Sequence, residues 1–333
     1  MNPPTIRWAI IGPGSIARTF AAALPMVAGA ELVAVASRDL ARAQAFASKH
    51  QARLAVDSIA AVAEADDIDA VYVATPHPHH CAPALTCLAA GKAVLVEKPL
   101  ALNAAQVGSL IAASHRHRAF LMEAMWTRFL PAWRTAAEWI HTGRIGEPRL
   151  VSADFGFRCG WDPHSRLLDP ALAGGALLDV GVYTLAAANA VFPGPPLGVA
   201  GFAHLGATGV DEQSVAVLSW PGGRLARLAA AVRTATAGDC RIDGTEGSIH
   251  LPQFWRATRA TWTSGDKSEI FDGPHESNGF EYQIREVHRC LADGLIESPV
   301  MPHADSLTIA GVMDALRRQW GLRYPGEDGT ASS

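Results

Sequence analysis

Glu97, Lys98 and Pro99 set a carboxylate, an ammonium and a conformationally fixed residue side by side, directly after the apolar run Val94-Leu95-Val96. A short run with β-branched valines reads as a strand buried on both faces. Ligands of an open parallel sheet bind at the carboxyl ends of its strands, so Glu97 and Lys98 are expected to open into the crevice. Pro99 fixes φ, removes a donor and disfavours α conformation at Lys98, which holds that loop in one shape. A surface lysine that merely ends a strand is the ordinary alternative, and the neighbouring motifs weigh against it.

A second constellation is Gly174-Gly175-Ala176-Leu177-Leu178-Asp179-Val180-Gly181-Val182-Tyr183, continuing helically to Val191. Asp179 and Tyr183 stand at i and i+4, on one helix face. Their neighbours are small or apolar, so the helix is expected to be mostly buried, and a buried carboxylate must be paired or hydrogen-bonded. The bland alternative has Asp179 accepting backbone N–H groups and Tyr183 as ordinary core. Three histidines, His77, His79 and His80, fall in four positions and raise a metal-dependent hydrolase as an alternative. No acidic or thiolate ligand accompanies them and two prolines hold the segment as a loop, so no metal is expected.

The elements that must position these groups begin with Trp8-Ala9-Ile10-Ile11, followed at once by Gly12-Pro13-Gly14-Ser15-Ile16-Ala17 and a helical segment. Strand, glycine turn and helix in that order form the dinucleotide fingerprint G-x-G-x-x-A. Gly12 serves the tight turn, Gly14 the approach of pyrophosphate and Ala17 close packing, with the helix N-terminus facing the phosphates. The second strand ends at Ser37-Arg38-Asp39, where NAD-binding versions put an acid for the ribose 2′-hydroxyl. A hydroxyl and a planar cation suit a 2′-phosphate instead, so NADP is the expected cofactor and NAD the second candidate. Asp39 is expected to cap the helix Leu40 to His50. Ala70 to Ala74 leads into the loop Thr75-Pro76-His77-Pro78-His79-His80, read as cofactor-facing. The helix Cys81 to Ala90 and the strand Val94 to Val96 continue the alternation.

Ala119 to Met122 reads as the last parallel strand, which predicts a dinucleotide-binding Rossmann domain over 1–122 and an α+β domain over 123–333. Phe129 to Thr142 is helical. Beyond Arg149, β-like runs succeed one another at Leu150 to Phe157, Gly198 to Leu205, Gln213 to Trp220, Arg224 to Val232, Arg241 to Asp243 and Thr258 to Thr263. Strands without crossover helices imply an open, largely antiparallel sheet. Helices around Phe280 to Asp293 and Ala304 to Trp320 close the chain before a Gly/Ser-containing tail, Gly326 to Ser333.

The 333 residues are 49% hydrophobic and 18% charged, enough to bury a sizeable core. A net charge of −4 gives no reason to expect nucleic acid or an anionic membrane as partner. The cysteines Cys81, Cys87, Cys159, Cys240 and Cys290 are scattered without C-x-x-C, which predicts reduced thiols. No basic segment with an apolar h-region opens the chain, and no run reaches the length of a membrane span. A soluble, cytoplasmic, globular protein is expected.

The glycine fingerprint, Thr75-Pro76-x-x-x-His80 and Glu97-Lys98-Pro99 resemble the glucose-fructose oxidoreductase / inositol dehydrogenase (Gfo/Idh/MocA) family over nearly the whole chain, with His77 where many members have Asn. Met122-Glu123-Ala124-Met125-Trp126-Thr127-Arg128-Phe129 is similar to the dimeric dihydrodiol dehydrogenase and NADP-linked xylose dehydrogenase branch. The Gly174–Tyr183 segment resembles the family's G-G-x-x-x-D-x-G-x-H motif, whose Asp and His flank the substrate. Tyr183 replaces that His, as in the named branch. The resemblance implies an NADP-dependent oxidoreductase, with Gly12, Pro13, Gly14, Ser15, Ile16, Ser37, Arg38, Thr75, Pro76, His77, His80, Glu97 and Lys98 toward the cofactor. Lys98, Tyr183 and Asp179 are then the catalytic candidates, Tyr183 or Lys98 moving the hydroxyl proton.

Trp126, Phe155, Trp161, Trp255 and Phe280 are candidates for an apolar substrate wall, with Arg128 or Arg158 as polar contacts. Carboxamides are scarce, Asn189 and Asn278 being the only Asn beyond Asn2 and Asn103. That suits a cyclic vicinal diol, a trans-dihydrodiol or an aldopyranose such as xylose, over a heavily hydroxylated inositol. The alternatives are another sugar or inositol dehydrogenase of the family, or a non-catalytic NADP-binding regulator. Val215, Val217, Leu218, Leu225 and Leu228 are many for a solvated sheet face, which predicts a homodimer through it.

Overall fold

Short, mostly buried runs alternate with helices in the first 123 residues, and every strand pairing among them is parallel. The computed structural model describes residues 5–325 and 327, so the expected tail from Gly326 to Ser333 lies outside the described residues save for Glu327. The elements are β1 (Ile6–Ile11), α1 (Ser15–Ala23), β2 (Ala30–Ala36), α2 (Leu40–His50), β3 (Leu54–Val56), α3 (Ile59–Glu64), β4 (Ala70–Val73), α4 (Cys81–Ala89), β5 (Ala93–Val96), α5 (Ala104–His117) and β6 (Leu121–Glu123). Their order in the sheet is β3-β2-β1-β4-β5-β6. The order reverses between β1 and β4, the switch point at which a doubly wound sheet binds its ligand. The loop at 75–80 differs from the expectation in one respect, since His77–His79 forms a turn of 3₁₀ helix.

The chain continues through α6 (Pro131–His141), β7 (Pro148–Gly156), α7 (Val182–Val191), β8 (Gly198–Leu205), β9 (Asp211–Trp220), β10 (Arg224–Ala231), β11 (Cys240–Gly244), β12 (Ser248–Leu251), β13 (Arg259–Ser264) and β14 (Lys267–Asp272). It closes with α8 (Phe280–Ala292) and α9 (His303–Trp320). The second sheet runs β14-β13-β12-β11-β7-β10-β9-β8, antiparallel except for the β7–β10 pair. The mixed sheet confirms the α+β class. β14 carries no readable alternation because nearly all of it is exposed.

Residues 5–101, Ala105–Trp126 and His275–Ser306 form one compact unit, and 102–104, Thr127–Pro274 and the remaining described residues from 307 a second. Against the expectation of two contiguous stretches, 1–122 and 123–333, the chain returns to the first unit with α8. The reason is visible in its contacts: Trp8 Nε1 donates to His288 Nε2 at 3.1 Å, and Asn278 Nδ2 donates to the Thr19 carbonyl at 2.9 Å.

In the second unit β9 alternates strictly, with Ser214, Ala216, Leu218 and Trp220 buried and Gln213, Val215 and Val217 exposed. Leu218 and Leu228 therefore do not lie on the uncovered face expected for them. Period 2 turns both into the core, while Phe202, 82% exposed, joins Val215, Val217 and Leu225 outside. The stretch Pro170–Val191 is long and apolar enough by composition to cross a membrane, contrary to the expectation that no run would be; 89% of its most apolar window is buried within the protein, as befits a core segment.

Candidate active site

The phosphate cradle follows from the first turn of the chain. Gly12 has φ +93°, and a Cβ there would stand 2.9 Å from the backbone of Ala74 and Thr75, so only glycine fits. Nothing lies within 4 Å of a Cβ built on Gly14, which leaves open space in front of α1. No side chain caps α1, so the first-turn N–H groups, at Ser15 and Ile16 among others, remain for an anion. Pro13 is buried beneath them. These residues fit a dinucleotide pyrophosphate.

At the end of β2, Asp39 Oδ1 accepts the Arg42 N–H at 3.2 Å and caps α2, so its carboxylate is committed to the helix. Ser37 Oγ accepts the Asp39 N–H at 3.2 Å. Arg38 is exposed and makes no ion pair among the described residues. A ribose 2′-phosphate would meet the Arg38 cation here, beside an Asp39 carboxylate that caps α2.

After β5, Glu97 is buried, takes hydrogen bonds from the Tyr72 hydroxyl and, at 3.2 Å, from the Lys98 N–H, and holds both. Burial pushes its carboxyl up, against the pull of Lys98 and Tyr72. The Lys98–Pro99 peptide is cis. His80, expected to face the cofactor, is instead fully buried. Its Nδ1 lies 2.8 Å from the Pro99 carbonyl oxygen and its Nε2 2.8 Å from that of Thr75. Burial pulls its pKa down to about 4, against the two carbonyl contacts, which tie the 75–80 loop to the Lys98-Pro99 segment. His77 packs edge-on to it, ring centroids 5.8 Å apart, and Thr75 Oγ1 donates to the His79 carbonyl at 2.7 Å. Among the described residues no three His, Cys, Asp or Glu side chains gather as a metal site requires. Pro76 is exposed at the start of this loop. Glu123, unforeseen from sequence, accepts the Leu100 N–H at 3.0 Å and the Ser306 hydroxyl at 2.6 Å. In the same unit Trp126 meets Phe280 with centroids 5.1 Å apart.

In the second unit the expected helix is not uniformly α. Leu177–Gly181 is a π turn that carries Asp179, and α7 begins after it with Tyr183 in its first turn. Single π turns inside helices recur at functional sites. Asp179 and Tyr183 are both buried. Asp179 Oδ1 accepts from Arg166 Nη1 at 2.9 Å, a partner that no local spacing announces. Tyr183 packs on Phe155 with centroids 5.6 Å apart, and Phe155 stacks on Trp255 at 3.9 Å and 13°. Trp161 stands apart from this set, exposed, with Arg233 5.6 Å from its ring centroid. Arg158 is exposed, while Arg128, expected as a substrate contact, is buried and donates to the Ala186 carbonyl at 3.1 Å and Asn189 Oδ1 at 2.7 Å. Its guanidinium clamps α7.

Comparison with known proteins places this geometry in context. The family described as oxidoreductase, NAD-binding Rossmann fold, of the GFO/IDH/MocA group matches residues 6–125, and the GFO/IDH/MocA C-terminal domain matches residues 133–250. The trans-1,2-dihydrobenzene-1,2-diol dehydrogenase of Danio rerio is 39% identical over 96% of this chain and 98% of its own. A 3-ketoreductase from Actinomadura kijaniata, solved with NADP and TDP-benzene, has a TM-score of 0.83 at 30% identity, covering 94% of this chain and 97% of its own. The aldose-aldose oxidoreductase of Caulobacter crescentus, solved with glycerol, has a TM-score of 0.87 at 25% identity over the same shares.

Proposed function

The chain belongs to the GFO/IDH/MocA oxidoreductase family, and on that footing we propose that it is an NADP-dependent dehydrogenase of a cyclic vicinal diol. A trans-dihydrodiol is the first candidate substrate and an aldopyranose such as xylose the second. One observation carries the reading: 39% identity across 96% of the chain to a protein named as a dihydrodiol dehydrogenase. The aldopyranose rests on the likeness to an aldose-aldose oxidoreductase. The stacked Phe155–Trp255 pair, with Tyr183 against it, supports a flat, partly apolar ring as ligand.

Bound NADP supplies the hydride acceptor for the carbinol carbon. Gly14, Ser15 and Ile16 hold the pyrophosphate through main-chain N–H groups, and Arg38 with Ser37 receives the 2′-phosphate. Thr75, Pro76 and His77 border the cofactor, with Glu97 and His80 acting behind them by fixing Lys98 and its loop. Tyr183 takes the hydroxyl proton, and Lys98 hydrogen-bonds the reacting oxygen and stabilises negative charge there. Free Tyr and Lys both titrate near 10; a nearby cation favours a phenolate, and partial desolvation weakens the preference of a Lys for its charged form. Asp179 orients a substrate hydroxyl. Lys98 as the proton acceptor is the competing assignment. A second copy of the chain covers the exposed Phe202–Val215–Val217–Leu225 face, and the five free cysteines fit the reducing cytoplasm.

The test is steady-state kinetics with NADP⁺ and a panel of trans-dihydrobenzenediol, xylose and myo-inositol, followed by NADPH absorbance. The expected result is the highest kcat/KM for the diol or for xylose. A higher value for myo-inositol, or no turnover of any of the three, would refute the assignment.

A further inference from the structure

Asp179 and its guanidinium partner differ sharply in environment. The Asp179 side chain is 6% exposed and that of Arg166 is 61% exposed, yet Nη1 reaches Oδ1 at 2.9 Å. A carboxylate withdrawn from water must be compensated, and a cation paired with it here comes from a solvent-facing loop.

That loop is built for the purpose. The Ser165 hydroxyl donates to the Asp162 carbonyl at 2.7 Å, and the Ser165 carbonyl accepts the Leu168 and Asp169 N–H groups at 3.0 and 2.9 Å. The turn then crosses the start of the helical segment: the Gly174 N–H donates to the Asp169 carbonyl at 3.0 Å and that of Gly175 to the Leu167 carbonyl at 2.9 Å. A Cβ on Gly174 would stand 2.7 Å from the Leu167 carbonyl carbon and oxygen, closer than real contacts allow. Any other residue at 174 would push the loop, and Arg166 with it, off the helix start. The glycine thus permits the crossing that delivers Arg166 to Asp179.

We infer that Arg166 is a positioning residue, which sets the orientation of the Asp179 carboxylate and balances its charge while remaining at the solvent edge of the site. The inference rests on the reading of Asp179 as a substrate-side group. A guanidinium placed this way acts on kcat more than on folding, because its own side chain is mostly hydrated whether or not the bond is made.

The experiment compares the wild type with Arg166→Ala, Arg166→Lys, Asp179→Asn and the double variant Arg166→Ala/Asp179→Asn. Loss of one charge-assisted hydrogen bond should lower kcat/KM for the preferred substrate about tenfold, mainly in kcat. Arg166→Lys and free guanidinium added to Arg166→Ala should each recover activity, and NADPH affinity should stay within about twofold of wild type. In the Asp179→Asn background, Arg166→Ala should cost no more than about twofold, because the two side chains act as one unit. Wild-type kcat/KM in Arg166→Ala, a loss that neither lysine nor guanidinium relieves, or full additivity in the double variant would each overturn the inference. A wild type inactive on the whole panel would remove the functional reading and this inference together; an active wild type with silent Arg166 variants would remove the inference alone.

Discussion

Asp211→Asn should relieve a pH-dependent burden on the segment that carries Asp179. The Asp211 side chain is fully buried, and its Oδ2 accepts the Leu177 N–H at 2.7 Å, where the π turn begins. Burial pushes its carboxyl up to about 7, against the pull of the Leu177 hydrogen bond and of Arg317. In the unfolded chain an aspartate titrates near 3.9. The folded protein therefore binds this proton more tightly than the unfolded chain does. Its contribution to stability is complete below about pH 4 and is lost as pH rises through about 7. With these values the linkage relation gives a loss on the order of 2–3 kcal/mol between about pH 5 and about pH 8. The variant keeps an oxygen for the Leu177 N–H but has no charge to desolvate. Urea unfolding of both proteins at the two pH values reads the effect directly, as the change in their stability difference. The wild type should lose that much relative to the variant on going to the higher pH. A stability difference independent of pH would show that Asp211 does not titrate in the folded state and would refute the reasoning.

Three further outcomes are expected. Arg38→Ala should weaken NADPH binding about tenfold or more by titration calorimetry while leaving NADH unchanged, since a phosphate–guanidinium bond contributes roughly 1.5–3 kcal/mol; equal wild-type affinities for the two cofactors would count against it. Lys98→Met and Tyr183→Phe should each lower kcat by about 10² to 10⁴ with cofactor affinity retained, and a Tyr183→Phe enzyme with most of its kcat would leave Lys98 as the proton acceptor. Phe202→Asp places a charge on the exposed sheet face and should convert a dimer to a monomer in sedimentation velocity; a wild type already monomeric at micromolar concentration would exclude that interface.

Some of this protein is written locally in its chain. The turn at Gly12 and Gly14, the cap at Asp39 and the limits of β8 at Gly198 and Leu205 depend on steric rules and periodicities spanning a few residues, which sequence displays directly. The buried strands β4 and β5 announce themselves in the same way, by runs of Val and Ala with no polar face.

What the tertiary structure alone decided are the partners of polar groups and the destinations of distant segments. His80 sits in a polar loop by sequence, yet packing buries it between the carbonyls of Thr75 and Pro99. Arg128 and Arg166 look alike as exposed cations in the chain. One is buried against α7 and the other reaches a buried carboxylate from solvent, a difference that no local spacing announces. His275–Ser306 joins the first unit through Trp8 and Thr19, more than 250 residues earlier in the chain, and the extra residue of the π turn at Leu177–Gly181 leaves no mark in composition. Local sequence sets each element's apolar face and ends; which surface that face meets, and which charge finds which partner, is settled only when every element packs at once.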